Sequence, residues 1–275
     1  MLYLVSVPIG NLGDITARAR EVLESADLVA CEDTRTSGRL FGLLGLRARK
    51  LTPYHEHNAE KARPKLIARL MRGEAVALVS DAGTPLISDP GYKLARDCRA
   101  QGIPMTAVPG ANALLPAVQL SGLPTDAFYF GGFLPDKSAA RRRALQAVQS
   151  LPATLVFYES PNRLIAALED IAAVLGDRTA AVARELTKKF EEVRRAPVSE
   201  LVGYYKESGA PKGEIVIVID RGAQAAWTED AVGDLIRRML RTHSARDTAA
   251  LVGAATGLPR KHIYKQVLDA AGHEP

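Results

Sequence analysis

Two short polar clusters hold most of the residues able to move a proton. Glu32-Asp33-Thr34-Arg35 follows an apolar run, and His55-Glu56-His57-Asn58 follows the short segment Leu51–Tyr54. Carboxylates and imidazoles are the groups best suited to accept or donate protons near neutral pH. Glu32, Asp33, His55 and Glu56 are therefore candidates for acid–base work, with Arg35 as a nearby cation. Both clusters follow strand ends on one edge, so they are expected to converge into a polar wall facing a substrate. Ordinary surface hydrogen bonding is the competing account. His-x-His also suits a metal, but His243, His262 and His273 lie far away in the chain. With no third ligand at a suitable spacing, no metal is expected.

Two loops look built for a ligand. Ser80–Gly91 packs Asp81, Gly83, Pro85, Asp89, Pro90 and Gly91 behind a buried run; Asp81 and Asp89 could accept from an amine or hydroxyl, and Gly83 exposes backbone. Turn-formers occur in any turn, but this is longer than a connection requires, and open α/β sheets bind ligands at the C-terminal ends of their strands. Val7-Pro8-Ile9-Gly10-Asn11-Leu12-Gly13-Asp14-Ile15-Thr16 leaves the first strand and opens a helix. Its glycines let backbone approach a ligand, and Asp14 or Thr16 can cap the helix. Composition alone favours a plain strand-to-helix turn there. Farther on, Phe157–Pro161, Ala183–Lys188 and Pro211–Glu214 sit at strand ends and together would line the far side of a cleft. Several familiar signatures are missing: no G-x-G-x-x-G after the first strand, no G-x-x-x-x-G-K-[ST], no H-E-x-x-H and no C-x-x-C. A standard dinucleotide fold, a P-loop NTPase and the zinc hydrolase motifs are disfavoured.

The elements that must position these residues alternate. Leu2–Val7, Ala26–Cys31, Ala75–Ser80 and Met105–Val108 read as buried strands. Ile15–Leu23, Ser37–Leu44, Ala59–Met71 and Tyr92–Ala100 read as the helices between them. This rhythm predicts a mainly parallel sheet covered on both faces. It restarts after Pro109-Gly110 with helices at Ala111–Leu120, Ser138–Ser150 and Asn162–Leu175. Strands are expected at Phe128–Phe133, Thr154–Tyr158, Thr179–Arg184, Glu191–Arg195 and Glu214–Ile219. The runs at 179–184 and 191–195 suggest a hairpin and hence a mixed second sheet. Beyond Gly222 come three helical patterns, Thr228–Arg241, Ser244–Thr256 and Leu258–Ala271, with Ser244 as an N-cap. The expected architecture is α/β: lobes at 1–110 and 111–222 with an interlobe cleft, then a helical appendage at 223–275.

Composition sets outer limits. The 275 residues are 47% hydrophobic and 24% charged, which excludes intrinsic disorder. No apolar run approaches the roughly 20 residues of a membrane helix. The opening Met1–Pro8 reads as a core strand and not a secretory leader, and Cys31 and Cys98 make no disulfide framework. A cytoplasmic protein is expected. Net charge is +5, split as 15 − 12 = +3 over 1–110, 14 − 13 = +1 over 111–222 and 7 − 6 = +1 over 223–275, so no segment is a basic module.

The motifs carry a resemblance. Leu4–Thr16 is similar to the opening motif of the tetrapyrrole methylase superfamily. Within it, the chain resembles the bacterial ribosomal RNA small subunit methyltransferase I branch. Glu32–Arg35, His55–Asn58, Ser80–Gly91, Ser121–Pro124, Gly132–Pro135, Phe157–Pro161 and Arg184–Lys188 all share in this likeness, which spans about residues 1–222. The resemblance implies a two-lobed methyltransferase, usually homodimeric, that binds S-adenosylmethionine bent between its lobes. It implies cofactor contacts from Pro8, Asp81, Ala82, Gly83, Leu86 and Ile87 on the first lobe. Ala111, Asn112, Tyr158, Leu186, Lys212, Gly213 and Glu214 would face it from the second. It also implies 2′-O-methylation of a decoding-centre cytidine in small-subunit ribosomal RNA, free or in the assembled 30S subunit.

A ribose hydroxyl is weakly acidic, so such a reaction needs a base or a cation beside the forming alkoxide. Glu32, Asp33, His55, Glu56, Glu185 and Lys188 are the candidates, with His55 suited to the first role and Lys188 to the second. Arg47/Arg49/Lys50, Lys137 with Arg141–Arg143, and Lys188/Lys189 with Arg194/Arg195 could track phosphates, as could Arg260, Lys261 and Lys265 on a helix-turn-helix-like tail. For the tail, a plain helical cap packed through Leu251, Val252, Ile263 and Val267 fits equally well. Two alternatives remain: a porphyrinoid or diphthamide-type methylase on the same scaffold, and a nucleic-acid-binding regulator using the terminal helices.

Overall fold

The computed structural model describes residues 1–47, 50–222 and 229–272, which fall into two compact units, Met1–Gly222 and Ala223–Pro275. Arg49, Thr228 and His273, which figure in the sequence reading, lie outside the described residues.

Five parallel strands form the first sheet: β1 (Leu2–Val5), β2 (Leu28–Cys31), β3 (Leu51–Pro53), β4 (Val76–Val79) and β5 (Met105–Val108). Their order is β3-β2-β4-β1-β5. Helices α1 (Ala17–Ser25), α2 (Thr34–Leu44), α3 (Ala59–Met71) and α4 (Tyr92–Ala100) alternate with them. Strand residues change face at every step. Val29, Cys31, Ala77 and Val79 pack with Ala19, Leu23 and Phe41 of α1 and α2. Leu28, Ala30, Val76 and Leu78 pack with Leu66, Leu70, Leu94 and Cys98 of α3 and α4. Burial on both faces is why these strands are continuous apolar runs.

The connections explain where a site must lie. The chain steps outward from β1 to β2 to β3, then returns to insert β4 and runs on to β5. The loops after β2 and β4 therefore diverge, toward helices on opposite faces, and open a crevice at their C-terminal ends. That is the topological switch point, where open α/β sheets bind ligands. It brings Glu32 beside the 80–91 loop.

The second sheet is mixed, ordered β6-β7-β10-β8-β9, from β6 (Phe128–Phe133), β7 (Thr154–Glu159), β8 (Thr179–Arg184), β9 (Glu192–Pro197) and β10 (Ile215–Ile219). Only β6 and β7 pair in parallel, and β8 and β9 form the expected antiparallel pair. Ile215, Ile217 and Ile219 pack beneath α6 (Ser138–Val148), α7 (Leu164–Leu175) and α8 (Val198–Ser208). Val216 and Val218 face the other way, toward α5 (Leu114–Ser121) and toward Ile9 and Ala82 of the first lobe. That second face joins the lobes. Helix α8 was not anticipated, although its buried Val198, Leu201 and Tyr205 follow a helical spacing.

In the smaller unit, α9 (Glu229–Leu240), α10 (Ala245–Thr256) and α11 (Arg260–Ala271) enclose a core of Val232, Leu235, Ile236, Ala249, Val252, Ile263 and Val267. Ser244 caps α10 by accepting from the Asp247 amide at 3.2 Å. Leu251, expected inside, is exposed because it lies one step off the buried Ala249–Val252 stripe.

Candidate active site

The two ligand loops are tied to each other. Val7 and Gly83 exchange backbone hydrogen bonds of 2.9 and 3.0 Å, which fixes the loop after β1 against the loop after β4. Thr84 adds a second tie: its hydroxyl reaches Ser6 Oγ at 2.9 Å and donates to the Ala111 carbonyl at 3.2 Å. Thr16, not Asp14, caps α1, accepting from Ala19 N at 3.1 Å, while Asn11 closes the preceding turn. The 80–91 loop carries local strain. Leu86 and Ser88 both sit at left-handed φ, 73° and 65°, which side-chain-bearing residues seldom adopt and which often marks functional loops. Glu185 (50°) and Thr187 (67°) repeat the pattern across the cleft.

Between the lobes lies a cavity of about 320 Å³. Its first-lobe wall is Ile9, Ala82, Gly83, Thr84 and Ile87–Asp89. The second-lobe wall is Asn112, Ala113, Phe133, Tyr158–Pro161 and Gly213–Val216. Of the expected contacts, Ala82, Gly83, Ile87, Asn112, Tyr158, Gly213 and Glu214 line it. Six others act from behind the wall or outside it. Pro8 and Leu186 are buried beside it, Leu186 in the lobe-joining core. Leu86 packs into the first-lobe core, Ala111 offers its carbonyl to Thr84, and Lys212 points to solvent. Asp81 bridges loops instead, its Oδ1 accepting from the Asp33 amide at 3.1 Å across the β2/β4 crevice.

The cavity suits a ligand that is part apolar, part cationic. Tyr158 stands edge-on to Phe130 and Phe133, with centroids 4.8 and 5.6 Å away, giving an aromatic flank. Gly83 (φ 74°) keeps backbone open there; a Cβ would meet Ile9 Cγ2 at 3.3 Å. The carboxylates of Asp89 and Glu214 supply negative charge. Glu159 is also present but already engaged: it is 2% exposed, and it accepts from the Ser160 amide at 2.8 Å and from Arg163 Nη2 at 3.3 Å. Burial still leaves its carboxyl above the ordinary range.

A second, polar pocket opens beside the first, lined by Glu32, His55, Glu56, His57, Ser88, Asp89 and Pro90. The two clusters at 32–35 and 55–58 thus share a pocket only through Glu32, His55, Glu56 and His57. Asp33 and Arg35 do not line it. Asp33 caps α2 and binds Arg35 Nη2 at 2.7 Å; the Arg35 hydrogen bond lowers its carboxyl to about 2. Burial raises Glu32, with nearby Asp81 adding to the effect. The His55 amide donates to Asn58 Oδ1 at 3.0 Å, which ties the backbone of this loop, while the imidazole Nδ1 is buried without a hydrogen-bond partner. Only Ser88 and Asp89 line both pockets among the described residues. Both belong to the 80–91 loop, in which the sequence marks Asp89, with Asp81, as able to accept from an amine or hydroxyl, while Ser88 carries no such signal.

Lys188, expected as a free cation, is committed elsewhere. Its Nζ contacts Glu185 at 2.9 Å and Glu214 at 3.0 Å. Burial opposes its charge, but these two carboxylates outweigh burial and raise its pKa, while Lys188 lowers that of Glu185. It braces the rim of the first cavity and does not reach the lining of the polar pocket. Arg141 is likewise unavailable to phosphates: it is 3% exposed and its Nε donates to Asp170 at 2.8 Å. Arg194 is held by Glu192 and stacks on Tyr204 at 3.6 Å. Arg47, Lys50, Lys137, Arg143, Lys189 and Arg195 remain exposed. Among the described residues no group of three His, Cys, Asp or Glu side chains is placed to hold a metal, and no helix is long and apolar enough to cross a membrane.

Comparison with known proteins identifies the family and the fold. Residues 1–202 match the family described as tetrapyrrole (corrin/porphyrin) methylases, and 225–271 match the RsmI C-terminal HTH domain. A ribosomal RNA small subunit methyltransferase I from Mesorhizobium japonicum is 46% identical over 269 residues, covering 98% of this chain and 91% of the relative. The protein of the same name from Escherichia coli O157:H7 is 46% identical over 276 residues, covering 98% and 96%. The crystal structure of a uroporphyrin-III C-methyl transferase from Thermus thermophilus, complexed with S-adenyl homocysteine, shares the fold. Its TM-score is 0.55 at 20% identity, covering 79% of this chain and 96% of that one. The chain therefore belongs to the tetrapyrrole methylase family, in its ribosomal RNA small subunit methyltransferase I branch.

Proposed function

We propose that this protein methylates the 2′-hydroxyl of a decoding-centre cytidine in small-subunit ribosomal RNA. The observation that carries the reading is the pair of adjoining pockets, one part apolar and carboxylate-lined, the other polar, sharing Ser88 and Asp89. The cofactor is S-adenosylmethionine, and the first cavity fits it: an aromatic flank for a purine, open glycine backbone, and carboxylates for its positive charges. When bound, it supplies an electrophilic methyl carbon on sulfur. Asn112 and the backbone of Ala82, Gly83 and Gly213 would hold it, with Glu214 held in place by Lys188.

The protein's own task is to align a nucleophile and take one proton. Glu32, His55, Glu56 and His57 would form the wall that receives the ribose and orients its hydroxyl by hydrogen bonds. The exposed cations Lys50, Lys137, Arg143, Lys189 and Arg195 are suited to hold flanking phosphates, and the tail carries its own exposed cations, Arg260, Lys261 and Lys265. A cytoplasmic location belongs to the same reading, since that is where ribosomal RNA would be met. A homodimer is consistent with the exposed Leu115 and Leu120 on α5. The test is incubation with labelled S-adenosylmethionine and 30S subunits, or naked small-subunit RNA, from a strain lacking this enzyme. The expected result is one labelled ribose in a single cytidine; label on a base, or on a porphyrinoid or protein and not on RNA, overturns the reading.

A further inference from the structure

Glu32, His55, Asp89 and Lys188 all carry side chains able to serve a methyl transfer to a hydroxyl, but they occupy different places. Methyl carbon and attacking oxygen must meet where the cofactor cavity opens into the polar pocket. Lys188 is on the cofactor rim, tied to two carboxylates. Glu32 and His55 line the polar pocket alone. Asp89 stands at the junction, in the wall of both. Ser88, its neighbour, holds a left-handed φ of 65°, an uncommon conformation that turns the chain at that point.

We propose that Asp89 is the group that accepts the ribose proton. This rests on the ribose reading given above. In the step, the hydroxyl O–H bond breaks and its proton goes to a carboxylate oxygen of Asp89. The oxygen's electron pair forms the new bond to the methyl carbon, and the pair of the broken carbon–sulfur bond stays on sulfur. One negative charge on Asp89 and one positive charge on the donor disappear together, so the closed site gains no net charge.

The surroundings fit a base that works near neutrality. Burial is the largest influence on Asp89 and raises its pKa to about 6; Ser80 acts the other way, and Glu32 and Asp81 add to the rise. From the β3–α3 loop His55, Glu56 and His57 face the same pocket. From the second lobe come Tyr158, whose own pKa is raised by burial and by Asp89, and Glu214. A base with pKa near 6 is mostly ionised at pH 7.5 yet still basic enough to share a proton in the transition state.

The experiment compares wild type, Asp89→Asn, Asp89→Glu and His55→Ala. Single-turnover methylation of 30S subunits is followed from pH 5 to 8.5, with S-adenosylmethionine affinity measured by calorimetry on each protein. Carbon-13 NMR of aspartate-labelled free protein follows the carboxyl directly. Wild type is expected to speed up about tenfold per pH unit below roughly 6 and then level off. Asp89→Asn should weaken cofactor binding by no more than about tenfold, as expected for one lost charge-assisted contact, and at saturating cofactor lose roughly 10²–10⁴-fold in rate together with the break near 6. Asp89→Glu should recover part of the rate, and His55→Ala should keep the break. The NMR signal titrating near 6 should vanish in Asp89→Asn. Near-wild-type rate in Asp89→Asn, or a break that survives it, overturns the assignment alone. A wild type that puts no methyl on ribose overturns the substrate reading and this assignment with it.

Discussion

The side chain of Lys188 lies directly on the backbone of Gly10: a Cβ at position 10 would stand 2.4 Å from Lys188 Cγ and 2.7 Å from its Cε. A residue of the second lobe thus crosses to the first-lobe loop, and only glycine leaves it room. Across the ion pair, Gly213 does the same for Glu185, whose Oε1 would meet a Cβ there at 2.2 Å. Two glycines far apart in sequence serve one Lys–carboxylate brace.

Gly10→Ala should therefore displace Lys188 and release Glu214 from the wall of the first cavity, the proposed cofactor site. S-adenosylmethionine affinity is expected to fall about five- to tenfold, near the 1–1.4 kcal/mol of a charge-assisted contact. Combining it with Lys188→Ala should cost no more than Lys188→Ala alone, since both act through one contact. Calorimetry on the two single variants and the double variant checks this.

Stability should depend on Asp89 with a definite sign. Its folded pKa of about 6 lies above the roughly 3.9 of an unfolded aspartate. The folded state therefore holds the proton more tightly, and stability is full below about pH 4 and lost as pH rises through 6. Asp89→Asn should be more stable than wild type by on the order of 2 kcal/mol at pH 8 and indistinguishable from it at pH 4. Urea unfolding at the two pH values measures the difference.

Arg141→Met should be among the most destabilising single changes in the second lobe. It takes the buried guanidinium from the Asp170 carboxylate, whose side chain is 4% exposed, and leaves Ser138 and the half-exposed Arg142 to hold it from one side. Breaking one partner of a buried pair costs about 3–5 kcal/mol. Replacing both, as Arg141→Met with Asp170→Leu, should recover much of that loss in thermal melts.

Removing charge from α11 tests the tail's part in substrate binding. Arg260→Ala, Lys261→Ala and Lys265→Ala together should weaken binding to 30S subunits and reduce its salt dependence, by up to about 0.7–0.9 in the logarithmic slope per lost phosphate contact. Cofactor affinity should stay unchanged. An unaltered salt slope would show that these residues do not meet phosphate.

The fold was largely legible because the strands announce themselves. Val76–Val79 and Ile215–Ile219 are unbroken β-branched or apolar runs, and Phe128–Phe133, Thr179–Arg184, Ala59–Met71 and Tyr92–Ala100 have the limits the periodicity suggests. Helix α8 was missed because its apolar residues are diluted by Ser199, Glu200, Gly203 and Lys206. The site was legible as a set of loops but not as a set of roles. Nothing in the order of residues says that Lys188 finds two carboxylates, that Arg141 turns inward to Asp170, or that Asp33 and Arg35 satisfy each other outside the pocket. Those facts depend on partners up to 29 positions away, or on which way one side chain turns. Asp81 and Asp89 read alike in the sequence as possible acceptors, and only the fold sets Asp89 between two pockets while Asp81 bridges two loops.

That strand order also governs when the site can exist. β4 is hydrogen-bonded between β1 and β2, so the first two strands have no edge to share until residues 76–79 arrive. Such non-local parallel pairing forms slowly, because long loops must close before any contact rewards them. Glu32 and Asp89 then come together in the same event that zips the centre of the sheet. A nascent or partly unfolded first lobe has no half-made polar pocket, and a complete pocket is itself a report that the lobe has finished folding.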